Sequence, residues 1–380
     1  MHPERGAALL TVLLLVATIS LLAVELSDKV RFSTQRTLNR VDNDQSFWYA
    51  RGGEELARAQ LQQALKTGSS ALNTLLAEEN SSFSIDQGEI NYRLESLHQC
   101  FNLNHLNPQS DNAAGSDGDG DGDGDSNDIS DRDDSDQART NADNSNSNSN
   151  SDNGIGTDSS ESDNQLDPEQ ASKSDHQLAR ERLSYIAAAL ELEPQTAELL
   201  RDRVIDWIDS NREPSGFSGA ESDFYNGLEL PYHSADQMLV SKAEIDNLLT
   251  DEQLPASLRD QLCVHPGSQQ LRINPNQLKP GQAGLLSGLL MGKISSDEAL
   301  ELIEARPLEG YSDISAFFKE SVLSNKKLTS RDKAIFSLDS RFFRARVKVR
   351  HYDSYFNLTT LLHWDGNQML PLYRQYGGEF

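Results

Sequence analysis

The chain has 380 residues, with 60 Asp and Glu against 34 Lys and Arg and a formal net charge of -26. That length allows two or more domains with real cores, while a hydrophobic share of 36% and a mean hydropathy of -0.60 exclude a polytopic membrane protein. So much negative charge opposes contact with nucleic-acid backbones and anionic lipid surfaces, and favours solubility and divalent cations.

The first element is an apolar run from Ala7 to Val24, AALLTVLLLVATISLLAV, without a charged residue. At roughly 1.5 Å per residue a helix of this length spans about 27 Å, close to a bilayer's hydrocarbon core. A cleaved signal peptide fits poorly, because Ala17 and Ala23 offer weak cleavage contexts and no polar, turn-prone stretch follows. An ordinary signal anchor is a second reading. The favoured reading is a prepilin-type segment: residues 1–6, MHPERG, form a short polar leader ending at Gly6, and the cut falls before Ala7. The apolar run, residues 7–24, is then retained as a transmembrane segment. Lys29, Arg31, Arg36 and Arg40 follow the run while only His2 and Arg5 precede it. The positive-inside rule alone would leave the C-terminal part inside; the leader pattern sets the opposite expectation.

Helical character continues to about Lys66, without Pro, and Phe47, Leu56 and Leu61 are the apolar positions expected to pack on a head. The pair Gly52–Gly53 marks a bend or a close approach. Residues 83–103 alternate around a turn at Asp86-Gln87-Gly88 and predict two strands, so residues 25–107 hold the rest of the long helix and the first strands. Residues 108–173 are an insert of Asp, Asn, Ser and Gly that lacks the apolar surface to fold alone. Its loop from Asp117 imitates an EF-hand, but Gly124 stands at position 8 and Asp128 replaces the bidentate Glu. It reads as a disordered acidic tract that weakly gathers cations.

Residues 174–335 show helical periodicity, and the stretch from Gln282 to Ser321 outlines a helix-hairpin-helix. Its nearby cations are few, Lys279, Lys293 and Arg306, which favours packing or protein contact over DNA phosphates. Residues 336–380 return to alternation, in three strands divided at Asp353-Ser354 and Asp365-Gly366-Asn367. Arg344, Arg346, Lys348 and Arg350 form the charged face of one strand, read as a solvated surface. Both strand groups are expected in one sheet.

Cys100 and Cys263 are too few for a multi-cysteine zinc or iron–sulfur site. In an exported chain they can form one disulfide around the acidic insert; in a cytosolic chain they are two buried thiols. His98, His105, His233, His265, His351 and His363 show no metal spacing, and no nucleophile or acid–base constellation appears, so no enzyme is expected. The densest oxygen cluster is Asp206, Asp209, Asn211, Glu213, Glu221 and Asp223, with Pro214, Gly216 and Gly219 letting the chain wrap. Such a loop holds a calcium ion through hard oxygen ligands, or is a solvated acidic loop in which Asp209 or Ser210 caps a helix.

The leader and helix, WYARGGEELA, FNLNHL, DWIDSNREPSGFSGAESDFY, RINPNQ and the helical hairpin, in that order, resemble the type II secretion minor pseudopilin K family. The resemblance covers nearly the whole chain outside the acidic insert. It implies an α+β, pilin-like fold: a long N-terminal helix and an antiparallel sheet, with a large helical domain inserted. It implies a non-enzymatic subunit that caps or initiates the pseudopilus tip with minor pseudopilins I and J and supports export of folded proteins across the outer membrane. It also implies processing by the prepilin peptidase, an inner-membrane assembly platform, and a bacterial inner-membrane anchor with the C-terminal part periplasmic. The family carries calcium in its helical domain, near the loop of Asp206 to Asp223. Most pilin-like chains have Glu at the fifth mature position; this family lacks it, and Thr11 occupies that position if Ala7 is first. A type IV pilus minor pilin would share the leader and helix but lack the helical insertion. An anchored periplasmic enzyme would need a constellation the sequence does not show.

Overall fold

The computed structural model describes residues 5–78, 80–108, 173–250, 253–352 and 354–378. The acidic tract expected to be disordered falls almost wholly outside them.

Helix α1 runs unbroken from Arg5 to Thr67, 63 residues, or about 95 Å. It is long and apolar enough near its N-terminus to cross a membrane. From Leu9 to Gln45 its side chains are exposed apart from Asp42, and they touch no core. Packing begins at Ser46 and continues through Ala50, Gly53, Ala57, Leu61 and Ala64. These positions recur at helical spacing, and all but Leu61 are small. A helix built this way lies close on a sheet. At Gly53 a Cβ would stand 2.8 Å from a methyl of Ile90 and 2.8 Å from one of Val347, whereas Gly52 faces open space. The glycine pair is therefore a close approach and not a bend. The expectation for Leu56 is corrected. It is 36% exposed, because at about 100° per residue it falls on the flank of the face formed by Ala50, Gly53 and Ala57, while Leu61 is buried and Phe47 half-buried.

Gly68, at φ 129°, ends α1 and starts the short helix α2, Ser69–Ala77. The sheet has five antiparallel strands in the order β1 (Ser81–Ile85), β2 (Gly88–Ser96), β5 (Phe342–His351), β6 (Ser354–Trp364), β7 (Met369–Tyr376). Strand β2 pairs with β5 from Gly88↔His351 to Ser96↔Phe343, so both strand groups do share one sheet. Period-2 alternation sends Ile90, Tyr92, Leu94, Ala345, Val347 and Val349 to the α1 side, where they form one core. Glu54 is wholly buried at this interface. Its carboxylate accepts from Arg374 Nε on β7 at 2.9 and 3.0 Å and from Arg51 on its own helix, so a buried carboxylate is matched by two guanidinium groups.

Everything between Ser96 and Phe342 is inserted. Ten α-helices lie in its described part: α3 (Asp175–Ala189), α4 (Pro194–Ile208), α5 (Ser222–Asn226), α6 (Glu244–Leu249), α7 (Ala256–Arg259), α8 (Ala283–Leu289), α9 (Ser296–Glu304), α10 (Ile314–Phe318), α11 (Ser321–Ser324) and α12 (Ser330–Ala334). They enclose a second core that includes Leu183, Ile186, Leu200, Leu248, Leu286 and Leu289. The base of the insertion is stitched to the sheet. Cys100 and Cys263 form a disulfide, with Cα atoms 5.7 Å apart, beside the parallel pair β3 (Phe101–Asn102) and β4 (Leu262–Cys263). Of the two alternatives for the cysteines, the structure has the bridged pair. A loop of 163 residues closed in this way is worth about 5 kcal/mol by chain entropy, an upper figure. His98 donates from Nδ1 to Arg272 O and accepts at Nε2 from the backbone N–H of Arg341 and Phe342.

Gly53→Leu forces a branched side chain between Ile90 and Val347 and is expected to destabilise the head by about 1–3 kcal/mol. Gly52→Ala, one residue away, gains about 0.5–1 kcal/mol from helix propensity. Denaturant titration of both variants checks the contrast.

Candidate functional site

The acidic loop is built on the end of α4. Pro194 opens the helix at a position where no N–H is needed, and Asp209 closes it as the C-cap. Asp202 and Asp206, one turn apart, share the face turned toward residues 215–220. Asp206 Oδ1 accepts from Ser215 N at 2.8 Å, Asp202 Oδ2 accepts from Ser218 N at 3.3 Å, and Arg203 Nε donates to Ser218 O at 2.8 Å. Two glycines make this approach feasible. Gly216 has φ +60°, and a Cβ on Gly219 would lie 2.4 Å from Asp206 Oδ2. The loop returns to Glu221, the residue that precedes α5.

The carboxylates of Asp206, Asp209 and Glu221 are all buried, over an aromatic floor in which Trp207 meets Tyr225 edge-on at 5.4 Å and Tyr225 stacks on Tyr232 at 5.2 Å. Burial pushes all three carboxyls above their ordinary range, and mutual repulsion adds to it at Glu221, which reaches about 7. Asp206 Oδ2 and Glu221 Oε1 have no hydrogen-bond partner. Two buried, unpartnered carboxylate oxygens of like charge are what a hard cation would stabilise. A hollow of about 400 Å³ beside them is lined by Asn211, Glu221, Asp223, Ser234 and Asp236, among others.

Of the six residues singled out from sequence, the structure thus gathers Asp206, Asp209 and Glu221. Asn211 and Asp223 are exposed at the rim of the hollow, and Asn211 Oδ1 accepts from Glu213 N at 2.7 Å. Glu213 is exposed and lies outside the lining. Asp236 is an addition. It sits in a left-handed turn at φ 50°, and its charge raises both Asp209 and Glu221. Fifteen residues separate it from Glu221, and only the fold brings them together. The carboxylates converge loosely. Among the described residues the one trio of His, Cys or carboxylate ligand atoms within 4.8 Å of one another is Cys100, Cys263 and His265, whose sulfurs are joined in the disulfide. A cation over Asp206, Asp209 and Glu221 would draw them inward and take backbone carbonyls or water as further ligands.

The remaining motifs brace the domain. Asn102 Nδ2 donates to Ser268 O, Asn104 Nδ2 to Leu239 O and His265 O, Asn274 Nδ2 to Leu338 O, and Asn276 Nδ2 to Tyr311 O. These asparagines of FNLNHL and RINPNQ satisfy loop carbonyls inside the core. In the helix-hairpin-helix outline, Lys293 pairs with buried Asp332, and Arg306 donates to Pro275 O and Leu278 O. Two of its three nearby cations are therefore turned to packing.

A long helix with an apolar N-terminal part, its C-terminal part laid on an antiparallel sheet, has the architecture of a pilin-type subunit, here with a helical domain inserted between two adjacent strands. Family models for type II secretion system protein K match residues 99–267 and 273–339. Protein K of Dickeya chrysanthemi is 32% identical over 378 residues, covering 99% of this chain and 97% of the relative. That of Aeromonas hydrophila is 26% identical over 380 residues, covering 99% and 98%. A chain of the solved GspK-GspI-GspJ complex from enterotoxigenic Escherichia coli shares the fold, with a TM-score of 0.61 at 21% identity over 90% of this chain and 100% of that one. The chain belongs to the type II secretion system protein K family and is a minor pseudopilin of type II secretion.

The raised carboxyls fix a pH dependence for the metal-free protein. A carboxyl whose pKa is higher folded than unfolded stabilises the fold at low pH, and that contribution is lost as pH rises through the folded value. Chelated protein is therefore expected to lose thermal stability as pH climbs from about 4.5 to about 7, the span between the ordinary and the shifted Glu221 carboxyl. A divalent cation added at the upper end should restore it, read as a rise in Tm.

Proposed function

We propose that this pseudopilin caps or initiates the tip of the pseudopilus, in a complex with minor pseudopilins I and J. The observation that carries this is where the inserted domain sits. Beyond the end of α1, Asn73 Nδ2 on α2 donates to Glu309 O at 3.2 Å, and a Cβ on Gly310 would lie 2.6 Å from that same nitrogen. The helical domain thus meets α2, the short helix that follows the end of α1 opposite the apolar run, and its bulk on that side would hinder the stacking of a further subunit. The solved relative, itself crystallised in a complex with GspI and GspJ, supports the choice of partners.

The same reading has the prepilin peptidase cut between Gly6 and Ala7, and the inner-membrane assembly platform move the retained helix from bilayer to filament. Before assembly the chain is a single-pass inner-membrane protein with its head in the periplasm. Thr11 suits a tip position, since a buried carboxylate there would need a neighbour's charged amine. The cation of the acidic loop is calcium, whose flexible oxygen shell tolerates carboxylates that converge loosely. Asp206, Asp209 and Glu221 hold it, with Asp236, Asn211 or Asp223 completing the shell. The chain catalyses nothing itself. Its buried His98 and His265 are pushed down to about 4 and about 3 by burial, and they serve as neutral hydrogen-bond braces.

Two measurements test this. N-terminal sequencing of the membrane-extracted protein should begin at Ala7; a start at Met1 or near Leu26 would overturn the processing. Immunogold against the helical domain should mark one end of sheared pseudopili, and label along the whole filament would sink the tip assignment.

A further inference from the structure

The sheet face turned away from α1 carries more positive charge than a solvated surface requires. Arg93 on β2 and Arg344 and Arg346 on β5 all point at one carboxylate, Glu95, with N···O distances of 3.4, 3.7 and 3.6 Å. Lys242, from the loop before α6, overhangs the same cluster. Its burial and the adjoining Arg344 push its ammonium down to about 8. The nearby Arg259 is already paired with Asp246. Three arginines thus share Glu95, and Lys242 beside them has only the field of Asp260, on a chain whose net charge is -26. Gathering like charges costs free energy unless an anion answers them.

The chain carries such an anion. Residues 109–172 contain 16 Asp and 2 Glu against Arg132 and Arg139, and 11 of those Asp lie between Asp111 and Asp136. The described chain reaches this stretch at Pro108, which is tied to the loop carrying Lys242 through a short path. Pro108 is four residues past Asn104, and Asn104 is bound on both sides of its amide to Leu239, at 2.9 and 2.8 Å. Leu239 is three residues from Lys242.

We propose that the outer sheet face centred on Arg93, Arg344, Arg346 and Lys242 is the docking surface for the chain's own aspartate-rich stretch, Asp111 to Asp136. Covalent attachment supplies a high effective concentration, so many individually weak ion pairs suffice. The binding is electrostatic and tolerant of sequence, which suits a run of near-identical Asp-Gly units. Salt weakens it, since the screening length falls from about 10 Å at 0.1 M to about 3 Å at 1 M.

The test uses the intact chain with a photo-cross-linking amino acid in place of Gly122. At about 50 mM NaCl, cross-links within one molecule should reach peptides containing Arg344, Arg346 or Lys242. Their yield should fall about fivefold or more at about 0.5 M NaCl. It should fall similarly at low salt in Arg346→Glu and in Lys242→Glu. These two variants lie on separate elements, so one remains decisive if the other fails to fold, as judged by circular dichroism. Cross-links that land elsewhere, survive high salt, or persist in the folded variants overturn the proposal. So do cross-links between two copies that grow with protein concentration, which would make a second molecule the occupant.

Discussion

Pairing of β2 with β5 is the contact on which the other parts of this molecule depend. These strands are neighbours in the sheet from Gly88↔His351 to Ser96↔Phe343, yet the whole inserted domain separates them in sequence. The pairing completes the surface on which the small-residue face of α1 lies, with Gly53 against Ile90 and Val347. It also brings together the two ends of the insertion, where the Cys100–Cys263 disulfide and the hydrogen bonds of His98 tie helical domain to sheet. The domain is therefore held at its base as well as at its contact with Asn73. The proposed role at the tip would require that fixed orientation relative to α1.

Within the helical domain, the acidic loop has a different logic. Asp202 and Asp206 hold the returning chain through backbone N–H groups at Ser218 and Ser215, so the loop has a shape before any cation arrives. What remains unbalanced is charge: Asp206 Oδ2 and Glu221 Oε1 are buried without partners. Local folding supplies the geometry, and a cation would supply the neutrality.

Local features were legible in the sequence because their causes are local. The long helix follows from an uninterrupted run without proline, the β1–β2 hairpin from alternation around Asp86-Gln87-Gly88, and β5 to β7 from period-2 patterns with turn residues between them. The joint sheet was an inference from order alone, and the structure bears it out. Features set by distant partners were not legible. Nothing near Glu54 announces Arg374, more than 300 positions away, and nothing near Glu221 announces Asp236. Leu56 misled because hydrophobicity alone suggested an inward position, while the close helix–sheet approach selected Ala50, Gly53 and Ala57. The cysteine pairing stayed open until the fold placed their Cα atoms 5.7 Å apart.

The insertion also sets a timetable for folding. Strand β2 is complete at Ser96, but its partner begins at Phe342. At a synthesis rate of roughly 5–20 residues per second, β2 waits on the order of ten seconds or longer for β5 to exist. During that interval Ile90, Tyr92 and Leu94 have only α1 and the β1 hairpin to cover them, while most of the helical domain's own core can already assemble. Strands β5 to β7 thus decide when the first helix gains its full seat.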